Sequence, residues 1–243
     1  MKIDKLDWDS DFFGIKIGRL SVTNADDFDP LSFIDQVHDE KYDLVYVFKY
    51  QTMFGYDKIT QAGLDLVDIQ ITMSKKINRY DYRDFPYDFR TGLTEKELAG
   101  CYHIAEETAI VSRFYTEKTI GPDKTRNLYR KWIDNAMKKS FSDGLFLTKE
   151  ADSVTGIHLI KTDRQNNVGY FTLTGVDPDS KRMGIGRKLW EQSFGYFSNE
   201  TEIEIIRSPF SFQNAESFNF HLKMGFNKLE EIKYIYHFRN ISL

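Results

Sequence analysis

The chain has 243 residues, 41% of them apolar and 29% charged, which is enough for one large or two small cores. Its 33 lysines and arginines against 37 aspartates and glutamates leave a net charge of −4, which argues against nucleic acid as the main partner. The single cysteine, Cys101, excludes an internal disulfide and fits a reducing, cytoplasmic setting; the charged opening is unlike a signal peptide, and no apolar run reaches the ~20 residues of a membrane span.

In chain order, Leu6 to Gly14 is a polar and aromatic opening closed by glycine, and a short strand is expected over Ile15–Val22. Leu31–His38 has helical spacing through Phe33, Ile34 and Val37, and Leu44–Phe48 reads as a buried strand. A helix near Tyr56–Ala62, a turn at Gly63 and an alternating strand over Leu64–Met73 complete a β-α-β succession. It predicts a small N-terminal α/β domain, residues 1–78, joined through the polar, aromatic Asn78–Pro86 to a second domain, residues 87–243.

The second domain opens with an expected strand at Tyr87–Thr91. Thr94-Glu-Lys-Glu97 is a capping box, so a helix should run to about Val111, and a second helix is expected over Pro122–Lys139 with proline at its first position. Strands follow at Leu145–Lys149, Thr155–Thr162 and Val168–Val176, then a helix, a strand at Thr201–Arg207, a helix at Asn214–Met224 and a final strand at Phe226–Phe238. Charge is uneven: between Val111 and Lys139 eight basic residues face three acidic ones, so that segment is +5 and the rest of the chain −9.

The most informative stretch follows the strand Val168–Val176. Asp177-Pro178 marks a turn, and Lys181-Arg182-Met183-Gly184-Ile185-Gly186-Arg187 is a basic, glycine-spaced loop that becomes the first turn of a helix through Leu189, Trp190, Phe194 and Phe197. Glycine keeps side chains away from the backbone there, and first-turn N–H groups lack intrahelical partners, so they can converge on one anion beside Lys181, Arg182 and Arg187. A pyrophosphate suits such a place. A tight connection with a solvated basic rim would have the same glycines. The Gly-x-Gly is not a dinucleotide fingerprint, since no strand runs directly into the first glycine, and the Gly-Lys-Ser/Thr ending of a nucleotide-triphosphate loop is missing.

The second signal is Asn214-Ala-Glu-Ser217-Phe218-Asn-Phe220-His221-Leu-Lys-Met-Gly225-Phe226, in which positions 214, 217, 218 and 221 share one helical face. Together, Lys181-x-x-Gly184-x-Gly186 and this helix resemble the two hallmarks of the GCN5-related N-acetyltransferase superfamily. The resemblance implies an α/β (α+β) fold with a central mixed, mostly antiparallel, splayed sheet flanked by helices. It also implies acetyl-CoA as cofactor, held by residues 181–187, by Asn214 and Phe220, and by the backbone of Leu173, Thr174, Gly175 and Val176. A bulge at Gly175, bending its strand from Thr201–Arg207, would open that backbone. No metal ion enters this chemistry.

In the superfamily a tyrosine stands where this chain has His221. The expected reaction is direct attack of an amine on the thioester, with the thiolate leaving. A tyrosine, near 10, stays protonated to serve that thiolate, whereas a histidine near 6.5 is mostly neutral at pH 7. His221 is therefore a general acid if a carboxylate raises it, a neutral donor to sulfur, or a helical spectator; Asn214 would also serve as a plain N-cap.

Within the superfamily the chain is similar to the sugar-nucleotide branch typified by dTDP-fucosamine (dTDP-4-amino-4,6-dideoxygalactose) N-acetyltransferases. Leu6-Asp-Trp-Asp-Ser-Asp-Phe-Phe-Gly14, Ser112-Arg113-Phe114 followed by Tyr129-x-x-Trp132-Ile133-x-Asn135-Ala136, and the Asn214 helix carry this likeness. It implies a nucleotide-linked amino sugar as acceptor and a role in cell-surface polysaccharide biosynthesis. Arg113 would meet the diphosphate, and Phe13, Phe114 and Tyr129 would cover the base or sugar. A peptide N-terminus, polyamine or other small amine as acceptor, or a non-catalytic acyl-CoA-binding domain, are the alternatives. Exposed strand edges would allow a homodimer.

Overall fold

The computed structural model describes residues 1–140, 142–200 and 202–240, apart from the side chain of Arg79. The described chain forms two compact units. One comprises Met1–Thr72, Phe210–Phe218 and the stretch from Leu229 onward; the other comprises Met73–Pro209 and Asn219–Lys228.

The first unit begins with β1 (Asp4–Lys5) and then α1 (Asp7–Phe13), a helix where the sequence reads only as an aromatic opening. Trp8 and Phe12, one turn apart, stack at 5.0 Å, and Gly14, left-handed at φ 70°, closes the helix by donating its N–H to Ser10 O. After it come β2 (Ile17–Val22), α2 (Pro30–Asp39), β3 (Leu44–Tyr50) and α3 (Tyr56–Gln61). The strand β4 is Asp65–Lys76, and the final strand of the chain, β10 (Lys228–Arg239), pairs antiparallel with β3. The core gathers Leu20, Phe28, Phe33, Val37, Val45, Val47 and Phe238.

The second unit holds the loop and most of the motifs. Asn78 caps a one-turn helix, α4 (Arg79–Tyr82), within the expected connection. Then come β5 (Phe89–Arg90), α5 (Glu95–Ala109), α6 (Gly121–Met137), β6 (Gly144–Glu150), β7 (Ser153–Asp163), β8 (Val168–Val176), α7 (Ile185–Glu200), β9 (Ile205–Ser211) and α8 (Ala215–Lys223), the end of β9 and the start of α8 counting with the first unit. This is the element order expected from Tyr87 onward. Thr201, the expected start of β9, lies outside the described residues, and 202–204 are not in the ladder. Glu204 instead donates its N–H to Asn167 O and accepts from Ile77.

In the second unit β6, β7 and β8 run antiparallel while β8 and β9 are parallel; in the first, β2 and β3 are parallel and β3 and β10 antiparallel, so strand pairing among the described residues is mixed and mostly antiparallel. An added Cβ at Gly175 would meet Ile104 and Thr108 of α5 at 2.7 and 2.6 Å, and one at Gly156 would meet Ile185 and Leu189 of α7 at 2.6 and 2.9 Å. The two helices thus cover opposite faces of this part of the sheet.

The expected bulge at Gly175 lies elsewhere. Gly175 pairs regularly with Ile157, and the register shifts where Leu159 faces Leu173 but Ile160 faces Phe171, leaving Thr172 as the extra residue. The shift re-aims the strand: Phe171 and Thr174, not an even number apart, both face α7, where they meet Trp190. Gly175 is glycine because α5 packs on it.

The capping box forms as read. Thr94 N–H and Oγ1 both donate to Glu97 Oε2 at 3.0 Å, and Lys149 Nζ lies 2.9 Å from Glu97 Oε1. The Thr94 N–H, then Lys149, hold the buried Glu97 carboxyl at about 2, below its ordinary 4.5. Its contribution to stability is therefore complete above pH 4.5 and lost as pH falls toward 2. The melting-temperature gap between wild type and Glu97→Gln should be widest near neutral pH and close across that acid window; a gap independent of pH contradicts this assignment.

Candidate functional site

The basic loop is built by turns that its sequence encodes. After β8, Asp177 caps a 3-10 turn, Pro178–Ser180, by accepting the Asp179 N–H at 3.0 Å. Arg182 and Gly184 then take left-handed backbone angles, φ 65° and 78°, which reverse the chain into α7. Gly184 O accepts the Lys188 N–H at 3.0 Å, so this glycine is the helix cap and has no side chain with which to satisfy the first-turn N–H groups. An added Cβ at Gly184 would meet nothing within 4 Å, and at Gly186 only the Phe220 ring, at 3.5 Å. The space over this helix start is open, and Lys181, Arg182, Met183, Arg187 and Lys188 are all exposed around it. Arg187 is also tied to Glu191, Nε to Oε1, at 2.8 Å.

Beside the loop, β8 and β9 part company. They pair from Val168↔Ile205 to Tyr170↔Arg207, whereas β8 stays paired with β7 as far as Val176. Among the described residues, Leu173, Thr174, Gly175 and Val176 therefore have a strand on one side and no ladder partner on the β9 side. The splay expected in the sheet is present, with its vertex at Tyr170 and Arg207.

The residues of the second motif separate into two environments. Asn214 caps α8, its Oδ1 accepting the Ser217 N–H at 2.9 Å. Phe220 lies over Gly186, with its ring 4.6 Å from that of Trp190. His221 is 3% exposed, packed edge-on against Trp190 and Phe226 with ring centroids 4.8 and 5.3 Å away. Its Nε2 lies 2.8 Å from the hydroxyl of Ser208, the first residue of β9 past the vertex.

Trp190 joins this pair to another that the sequence did not disclose. Its Nε1–H donates to Thr174 Oγ1 at 3.1 Å, and the same oxygen lies 2.9 Å from His158 Nδ1. Burial pushes the fully enclosed His158 down to about 3, so it is neutral at working pH. No local pattern marks His158 or Ser208; each gains its partner from a different element.

The expected acceptor residues are placed as follows. Arg113 is half-buried, its guanidinium 4.1 Å above the ring of buried Phe114. Tyr129, 9% exposed, packs on Trp132 with ring centroids 4.4 Å apart. Phe13, 1% exposed, ends α1 in the first unit and is edge-on to Phe12. Part of the +5 segment is spent on neighbours: Arg126 pairs with Asp123 at 3.6 Å and Arg130 with Glu106 at 3.3 Å. Cys101 is buried in α5, its thiol pushed up to about 12 by burial. Among the described residues no helix is long and apolar enough to cross a membrane.

The acetyltransferase (GNAT) family model matches residues 109–226, a span that contains both the loop and the Asn214 helix through Gly225-Phe226. No curated protein matches the sequence. Among solved structures the chain is similar to a conserved protein of unknown function from Staphylococcus epidermidis, at 11% identity and TM-score 0.62, over 93% of this chain and 85% of that one. It is also similar to a GCN5-related N-acetyltransferase from Sphaerobacter thermophilus, at 13% identity and TM-score 0.56, over 86% and 67% of the two chains. A third, a GCN5-related N-acetyltransferase from Kribbella flavida, aligns at 10% identity and TM-score 0.53 over 93% and 82%. At these identities the likeness concerns the fold.

Proposed function

We propose that the chain, whose residues 109–226 match the acetyltransferase (GNAT) family model, moves the acetyl group of acetyl-CoA onto the primary amine of a nucleotide-linked amino-deoxy sugar. The observation that carries the reading is the conjunction of an open, anion-ready helix start at Gly184 with the unpaired edge of β8 that leads into it. Acetyl-CoA supplies an activated acyl thioester; the protein's work is to hold it, aim it and answer the charge that develops.

In this reading the N–H groups of residues 184 to 187 take the pyrophosphate, with Lys181, Arg182 and Arg187 around it and Met183 at the rim. Leu173, Thr174, Gly175 and Val176 offer their free backbone edge to the amides of the pantetheine arm. Asn214, which belongs to the first unit, is carried to that arm by the resemblance alone, and Phe220 closes over it. His221, in the place of the general acid, serves the departing thiolate. Arg113, with Phe114 beneath its guanidinium, takes the acceptor's diphosphate, and Tyr129 supports that region from within. Phe13, in the core of the first unit, is carried by the resemblance alone. The resemblance assigns the transferase chemistry to residues 87–243 and an accessory role to residues 1–78; the compact units divide differently, since Phe210–Phe218 and the stretch from Leu229 onward count with Met1–Thr72.

A coenzyme-release assay tests the acceptor. dTDP-linked amino sugars should release coenzyme A about tenfold or more faster than UDP- or GDP-linked ones, and faster still than polyamines or peptides. Release with polyamines or peptides alone would replace the acceptor assignment. Uptake of acetyl-CoA without release to any amine would leave only a binding domain.

A further inference from the structure

The position of Ser208 carries one step more. Among the described residues β8 and β9 pair only as far as Tyr170↔Arg207, and Ser208 follows directly on β9. It is 4% exposed, and its hydroxyl lies 2.8 Å from His221 Nε2, with Trp190 and Phe226 closing the far sides of the imidazole. A thioester whose diphosphate is held at the start of α7 is anchored immediately beyond the end of β8. Its arm has one hydrogen-bonding track inward, the free edge of β8 from Val176 back toward Phe171, and that track ends at the vertex. The first side-chain hydroxyl on β9 at that point is Ser208.

We propose that Ser208 is a catalytic residue: its O–H donates a hydrogen bond to the thioester sulfur as the thiolate departs, and His221, donating from Nε2 into Oγ, strengthens that donor. The inference rests on the acetyl-transfer reading and gives His221 its route of action. In the step, the amine nitrogen forms a bond to the acetyl carbon, the carbon–sulfur bond breaks, and its electron pair stays on sulfur. The proton that neutralises the sulfur comes from the nitrogen that has just become an amide. Ser208 and His221 keep their own protons throughout, which is why a histidine can stand at this position without being charged. The serine supplies the hydroxyl, and the imidazole holds and polarises it.

Five proteins test this: wild type, Ser208→Ala, Ser208→Thr, His221→Ala and Ser208→Ala/His221→Ala, each checked for a cooperative melt. The assay is coenzyme release from acetyl-CoA with the best amine of the acceptor panel. Ser208→Ala should lower kcat about 100-fold with KM for acetyl-CoA changed less than about threefold, the pattern of a donor that matters only as charge develops. Ser208→Thr, which restores a hydroxyl, should recover about tenfold or more of that loss. The double variant should fall no more than about threefold below His221→Ala, because the two residues act as one unit. A loss below about fivefold in Ser208→Ala, or single losses that multiply in the double variant, overturns the assignment. If Ser208→Ala does not fold, Ser208→Cys, of similar size and a weaker donor, is judged by the same limits. An inactive wild type would sink the acetyl-transfer reading itself, whereas an active wild type with an equally active Ser208→Ala sinks only the role of Ser208.

Discussion

Gly186→Asp should weaken acetyl-CoA binding by about 100-fold or more while leaving the melting temperature unchanged or slightly raised. Position 186 lies in the first turn of α7, and a Cβ there would find only the Phe220 ring at an ordinary 3.5 Å, so the substitution has room. Two effects favour the folded variant: glycine is a poor helix residue by about 1 kcal/mol, and a carboxylate in the first turn gains roughly 0.3–1 kcal/mol from the helix dipole. The same carboxylate stands where a pyrophosphate would, competes for the same N–H groups and repels it. Binding and stability are thus driven in opposite directions by one charge, which a mere packing glycine would not produce. Isothermal titration with acetyl-CoA, alongside a thermal melt, checks both signs. An affinity within about tenfold of wild type would remove the loop from the cofactor site.

His221→Ala should lower turnover roughly 100-fold with acetyl-CoA affinity little changed, the loss expected when the donor to developing charge loses the imidazole that holds and polarises it. It should also cost roughly 1–3 kcal/mol of stability, because a buried ring leaves the Trp190 and Phe226 cluster and the Ser208 hydroxyl loses its partner. Steady-state kinetics measured well below the variant's melting temperature separate the two effects. Undiminished turnover would reduce His221 to packing.

How much of this was legible in the sequence depended on whether a feature is set by its own neighbours. The capping box from Thr94 to Glu97 is closed by residues three apart, and the bounds of β8 at Val168 and Val176 follow from a run flanked by turn residues. The glycine-spaced loop was readable for the same reason: the left-handed angle at Gly184 is a property of that residue. Other features are set from outside. Whether β8 bulges at Thr172 or Gly175 depends on the spacing of β7 opposite it, and α5, not the strand, accounts for Gly175. α1 escaped because Trp8, Phe12 and Phe13 do not make a long apolar stripe; its C-terminal Gly14 was the available clue. The late start of β9 reflects Glu204 bonding to loops at Asn167 and Ile77.

The site shows the same division. The anion-binding loop is contiguous, so its residues could be named from the sequence. Ser208 and His221 are 13 positions apart on a strand and a helix, and His158 and Thr174 16 apart on neighbouring strands. Only folding brings each hydroxyl to its imidazole. The strand β10 likewise closes the first unit through its register with β3, a long-range pairing that no local pattern encodes.

A crystal structure of the protein with coenzyme A tests the central claim most directly. The account predicts the pyrophosphate about 3 Å from the N–H groups of residues 184 to 187, with the pantetheine amides along the free edge of Leu173 to Val176. Coenzyme A bound away from both would contradict it.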